Sequence, residues 1–137
     1  NNINILNEFV VNLVSSDMLE NMVETAAAYA PGESEPDILG LSLTASKKVK
    51  PPRLTDAPVA IECERIMSLS LSSERSILIG QAVGVFAKNG LIDPATFHVD
   101  WANNYPIGRL FGDQYAEMSK IRRYSIPKTK RAHNKRE

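Results

Sequence analysis

The chain has 137 residues and a formal net charge of zero, with 16 Lys and Arg against 16 Asp and Glu. That length suits one domain with a buried core, and a balanced charge gives no whole-domain field to recruit nucleic acid or an anionic membrane. Hydrophobic residues at 43% and charged residues at 23% exclude a disordered chain, while the single cysteine, Cys63, excludes an internal disulfide framework and fits a reducing compartment. No apolar run approaches the roughly 20 residues of a membrane span. No basic stretch followed by an apolar core marks a signal peptide. A soluble, cytoplasmic domain is expected.

The chain opens NNINILNEFVVNLV, without an initiator methionine, which predicts a part upstream. Glu8 to Ser15, EFVVNLVS, is a β-branched run that reads as a buried strand, with Asn12 its polar interior member. Asp17 predicts a helix start, with Glu20 three residues on as capping-box partner and Leu19, Met22, Val23 and Ala26 on the apolar face. YAPGESEP, from Tyr29 to Pro36, ends that helix with two prolines and a glycine. A polar loop then runs through Ser46, Lys47 and Lys48 to the extended KPPR segment ending at Arg53.

Pro58 to Met67 predicts a second strand, with Val59, Ile61 and Cys63 on one side and Ala60, Glu62 and Glu64 on the other. A turn over Leu71 to Glu74 leads to SILIGQAVGVF, residues 76 to 86. Strict alternation there puts Ile77, Ile79, Gln81, Val83 and Val85 on one face, and Leu78, Gly80, Ala82, Gly84 and Phe86 on the other. Glycine weakens a strand unless a neighbouring backbone, a barrel bend or a flat ligand comes close, so this small-residue face marks a close approach. Lys88 to Gly90 reads as a turn, and Asp93-Pro94 as the N-cap and first residue of a short helical segment. After Trp101 comes YPIGRLFGDQY, too broken for a regular strand, and a last helix is expected from Asp113 to about Arg123. From Lys120 to Glu137 the chain holds eight of its sixteen Lys and Arg residues and one acid, which reads as a solvated terminus.

The usual catalytic constellations are missing: there is no CxxC, HExxH, P-loop or GxSxG elbow. His98 and His133 are the two histidines, and no metal site or catalytic side chain is assigned. Glu62 and Glu64 read as a solvated strand face, and Cys63 as a core residue. What remains suits a flat phosphorylated cofactor, for which glycine-freed N–H groups, cations and aromatic rings supply the contacts.

The order EFVVNLVS, a helix, TAAAYAPGESEPDILGLSLTASKKVKPPRLTDAPVAIECE, ILIGQAVGVF and YPIGRLFGDQY resembles the flavin reductase-like, FMN-binding split-barrel family over residues 2 to about 118. The resemblance implies a mainly β fold with helices, an FMN-binding split β-barrel of which this chain holds a part, the first strands lying upstream. Residues 1–124 would then form the C-terminal portion of the domain and 125–137 a basic tail. It further implies a homodimer that binds FMN non-covalently and works with a flavin or redox partner. The activity implied is NAD(P)H-dependent flavin reduction, with NAD(P)H as transient hydride donor. A non-enzymatic, flavoredoxin-like electron carrier and an interaction module without cofactor are the alternatives.

Carried over by position, Asn2 matches the Asn that follows the family's phosphate-contact segment, and Asn12 the polar residue of its VVN strand. Lys47 or Lys48 matches a basic loop position that approaches the flavin. Gly108, Arg109, Gly112 and Tyr115 match the GR-x-x-G-x-x-Y ending near the cofactor. Phe86 stands where many relatives have histidine, which tells against a histidine contact to the flavin here.

Overall fold

The computed structural model describes residues 5–30, 32–73, 75–101, 104–120, 122 and 124. Asn2 and the basic tail 125–137 therefore lie outside the described residues. Its centre is an antiparallel three-stranded sheet in the order β1-β4-β5, built from β1 (Glu8–Asn12), β4 (Val59–Ser70) and β5 (Ser76–Ala87). Two small antiparallel ribbons accompany it: β2 (Leu43–Thr44) with β3 (Arg53–Leu54), and β6 (Ile107–Arg109) with β7 (Tyr115–Glu117). Among the described residues, helical structure comprises residues 5–6, a 3-10 turn at Ser16–Met18, α1 (Leu19–Glu24) and α2 (Glu35–Ile38). Among the described residues no helix is long and apolar enough to cross a membrane.

The β-branched run at the start forms a strand, but at the sheet edge rather than inside it. Among the described residues β1 pairs on one side alone, and Val11 stays 42% exposed. The strand ends at Asn12, yet Leu13 still donates its N–H to the Val59 carbonyl at 2.9 Å. Ser15, buried, bridges to Pro106 and so ties the start of the chain to the segment before β6. The helix expected at Asp17 is shorter than its periodicity suggests, and Asp17 caps no backbone N–H: it accepts the Ser15 hydroxyl instead. With its carboxylate so engaged, the first turn tightens to 3-10 geometry.

β4 is the hub because it alone in the sheet is hydrogen-bonded on both sides, and the core gathers on its first half and the approach to it: Ala57, Val59, Ala60 and Cys63 are buried, as are Val49 and Leu91 of the loops. Burial pushes the Cys63 thiol pKa up from its ordinary value, as desolvation of a thiolate must. The far half of the β4–β5 hairpin is exposed, including Ile66 and Met67 on β4 and Ile77 and Ile79 on β5.

The alternation expected along β5 does not hold. Glu62 lies opposite Gly84 and Cys63 opposite Ala82, so Val83 is one residue more than β4 can pair. This bulge switches the faces. Gly80 and Ala82 lie with Phe9 and Cys63, while Gly84 and Phe86 lie with Glu62 and Ala60. The single small-residue face read from the sequence is thus split in two. A second irregularity, at Ile66, occurs between the Arg65–Gly80 and Met67–Ile79 pairs.

The last helix expected from Asp113 is absent from the described residues, where Tyr115–Glu117 is a strand pairing back onto Ile107–Arg109. Gly112 explains the reversal: its φ of +65° turns the chain, and Leu110 donates its N–H to the Gln114 carbonyl across the turn at 2.9 Å. Asp93 does cap a turn, accepting the Ala95 N–H at 2.8 Å, but no helix follows. Phe97 sits at φ +56° and the chain doubles back, with Ile92 bridging Val99.

Two outcomes follow from this packing. At Gly80 a Cβ would lie 2.6 Å from Phe9 Cζ and 3.2 Å from Cys63 Cβ. Gly80→Ala should therefore destabilise by about 1 kcal/mol, overpacking outweighing the gain in strand propensity. Urea denaturation measures this, and Phe9→Leu should restore part of it. The second concerns pH. Asp93 is held below the usual aspartate range first by the Ala95 N–H. A carboxylate with a depressed folded pKa adds stability above its unfolded pKa and loses it as pH falls through the folded value. Melting temperature should thus fall less on acidification in Asp93→Ala than in the parent protein.

Candidate functional site

The sheet face that carries Glu8, Val10 and Asn12 also carries Ala60, Glu62, Gly84 and Phe86, and the loop between β2 and β3 is laid across it. Three acceptors hold that loop. Glu62 accepts the Lys47 N–H at 3.0 Å through one carboxylate oxygen and the Lys48 N–H at 2.7 Å through the other. Glu8 accepts the Lys50 N–H at 2.7 Å. Asn12 Oδ1 accepts the Leu54 N–H at 3.0 Å, fixing β3 against β1. Val49 is buried between the exposed Lys48 and Lys50, so the KKVK alternation sends a valine inward and its flanking cations outward. The loop bends from Lys47 to Pro51 rather than running extended, and Pro52 leads into Arg53, the first residue of β3. The Ser46 hydroxyl closes the loop by donating to the Pro51 carbonyl at 2.6 Å.

A cleft of about 310 Å³ opens where this loop meets the sheet, lined chiefly by Lys47, Lys48, Arg53, Glu62, Gly84 and Phe86. The Arg53 guanidinium carbon stands 3.5 Å from the centre of the Phe86 ring. Arg53 Nη1 also donates to the Leu54 carbonyl at 3.5 Å, and the cation–π contact leaves the remaining N–H groups of the guanidinium to face an anion. Gly84 has an internal purpose here: a Cβ on it would sit 3.2 Å from Glu62 Oε2 and 3.3 Å from Lys48 Cγ. The missing side chain lets the carboxylate and the loop close onto β5.

Of the site residues expected from the sequence, Lys47, Lys48 and Phe86 come together in this cleft. Asn12 lies on the same face but is engaged with Leu54. Arg109, Gly112 and Tyr115 line a different, more open groove of about 730 Å³, against Leu19, Val23 and Glu24 of α1. Arg109 donates to the Gly112 carbonyl at 3.3 Å, and Gly108 is a strand residue opposite Ala116, so YPIGRLFGDQY is a hairpin whose arginine steadies its own turn. Arg53 and Glu62 were not among the expected site residues. Arg53 had a signal in the two prolines that precede it. Glu62 had none, since its alternation with Glu64 matches a solvated face, whereas Glu62 is 4% exposed and Glu64 is exposed.

A model of the flavin reductase like domain matches residues 1–105. The chain belongs to the flavin reductase-like domain family. An uncharacterised protein of Aquifex aeolicus is 32% identical over 110 residues, which cover 80% of this chain and 55% of that protein. The fold is similar to the crystal structure of the Pseudomonas fluorescens 2-nitrobenzoate 2-nitroreductase, with a TM-score of 0.84 and 33% identity over 92% of this chain and 62% of that one. It is also similar to a candidate flavin reductase with a split barrel domain from Shewanella frigidimarina, with a TM-score of 0.77 and 20% identity over 92% of this chain and 64% of that one. The fold is thus that of the split barrel, present as an open, partial barrel. The chain spans about half the length of the curated relatives it matches.

Asn12 allows a direct check of how the loop is held. Asn12→Ala removes the acceptor of the Leu54 N–H, and a lost hydrogen bond of this kind costs about 1 kcal/mol. Amide exchange at Leu54 should accelerate with a matching loss in urea denaturation, while the β4–β5 amides keep their protection.

Proposed function

We propose that the protein is a flavin-dependent oxidoreductase that binds FMN non-covalently and takes hydride from NAD(P)H. The observation that carries this reading is the convergence of Lys47, Lys48 and Arg53 on Phe86 in one cleft, in a chain of the flavin reductase-like domain family. The donor set fits the group. A phosphate of about two negative charges suits two lysine point charges and one planar guanidinium. Phe86, with Arg53 over its ring, offers a flat, polarisable wall for a planar ring system.

The cleft lies at the small end of the roughly 300–1,000 Å³ range of ligand pockets. We read it as one wall of the flavin site, the rest being supplied by the part that longer relatives have and this chain does not span. Bound FMN supplies the redox chemistry itself, so no acid–base dyad is required of the protein. The chain's own residues bind and orient. The cations neutralise the phosphate, Phe86 excludes water from one side, and the clamped loop keeps the cations from collapsing onto Glu62. The 2-nitrobenzoate 2-nitroreductase, at 33% identity, supports a reductive role. The exposed apolar residues of the β4–β5 hairpin favour work as a homodimer, and a buried, unpaired Cys63 suits the cytoplasm.

Equilibrium binding of FMN, followed by quenching of flavin fluorescence, tests the site. Arg53→Ala should raise Kd at least about tenfold, the scale of one lost charge-assisted contact. Arg109→Ala, in the other groove, should leave Kd within about twofold. The reverse pattern would move the site to the β6–β7 hairpin. Steady-state oxidation of NADH or NADPH by the FMN-loaded protein then separates a reductase from an electron carrier, which would hold flavin without turnover.

A further inference from the structure

The buried carboxylate of Glu62 is used neither for charge neutralisation nor as an acid or base, yet it sits beneath the cleft. We propose that Glu62 is a positioning residue for the anion-binding cations. By accepting the backbone N–H groups of Lys47 and Lys48, it sets where their side chains stand, an inference that rests on the flavin reading of the cleft. Four observations carry it. The carboxylate is 4% exposed, so it cannot be an idle surface charge. Its two oxygens each take one of two successive amides, at 3.0 and 2.7 Å, a division of labour that a neutral amide cannot copy, since its NH2 group would face an N–H. Gly84, directly opposite on β5, has no side chain where one would press on both the carboxylate and Lys48. Lys47 and Lys48 both line the cleft whose floor Glu62 helps to form.

The arrangement also resolves an electrostatic conflict. A bare carboxylate in an anion-binding cleft repels the ligand, but one satisfied by two amides presents less of its charge to the opening. Lys47 and Lys48 are exposed, and their contacts to Glu62 are made by the backbone, which leaves the side chains to the ligand. The same two hydrogen bonds therefore shape the loop and keep the cations free.

The test combines amide exchange at Lys47 and Lys48 with FMN binding measured by flavin fluorescence. In Glu62→Gln at least one of the two amides should exchange faster and the Kd for FMN should rise about tenfold, the scale of a lost hydrogen bond to a charged group. In a Lys47→Ala/Lys48→Ala background the same substitution should change Kd less than about twofold, because a residue acting through the lysines has nothing left to act on. An equal loss in both backgrounds would mark Glu62 as merely structural and overturn the proposal. So would freed amides with unchanged Kd. Should Glu62→Gln not fold, Gly84→Ala keeps the carboxylate and displaces it, and must show the same dependence on the lysines. If the parent protein binds no FMN, the flavin reading and this proposal fall together, whereas parent binding with indifferent variants sinks the proposal alone.

Discussion

The pairing of β4 with β5 is the constraint on which the remaining structure depends. A sheet face is set by period-two alternation, so one unpaired residue exchanges the two faces of everything beyond it. Val83 is that residue. Before it, small side chains at Gly80 and Ala82 make room for Phe9 and cover Cys63. Beyond it, Gly84 and Phe86 join the face of Glu62, where the β2–β3 loop comes down. Without the bulge Phe86 would point to the opposite side of the sheet from Glu62 and Arg53 would have no ring to rest on.

Charge is handled by the same economy of placement. Burying a carboxylate costs several kcal/mol unless hydrogen bonds replace the lost water. Here the replacements are backbone amides of a loop that has few other partners, so satisfying the charge and ordering the loop are one event. Glu8 repeats the device at Lys50 and Asn12 repeats it in neutral form at Leu54. Three polar side chains on one sheet face thereby anchor a segment that contains only two short strands of its own.

The strands were legible in the sequence wherever β-branched residues accumulate, as at Glu8 to Asn12 and from Val59 onward, and the residues sharing each face of β4 were assigned correctly, although the face of Glu62 was read as solvated. The faces of β5 were not, because a bulge is fixed by the partner strand and leaves no mark in local alternation. A helix after Asp113 failed for a related reason: the positive φ of Gly112 reverses the chain, and pairing with Arg109 then overrides helix propensity. The expected site residues were assigned together on motif order, which the topology divides: Lys47, Lys48 and Phe86 line one cleft, and Arg109, Gly112 and Tyr115 another. Glu62 escaped because its burial comes from a loop far away in sequence.

The bare outer half of the β4–β5 hairpin has a thermodynamic consequence. Apolar side chains such as Ile66, Met67, Ile77 and Ile79 stand in water in the chain as described. Any body that covers them binds the folded form and not the unfolded one, and so adds to folding free energy by mass action. With such a body present, the fold's resistance to heat would not be a property of the chain alone. It would then rise with the logarithm of the concentration of whatever covers that face.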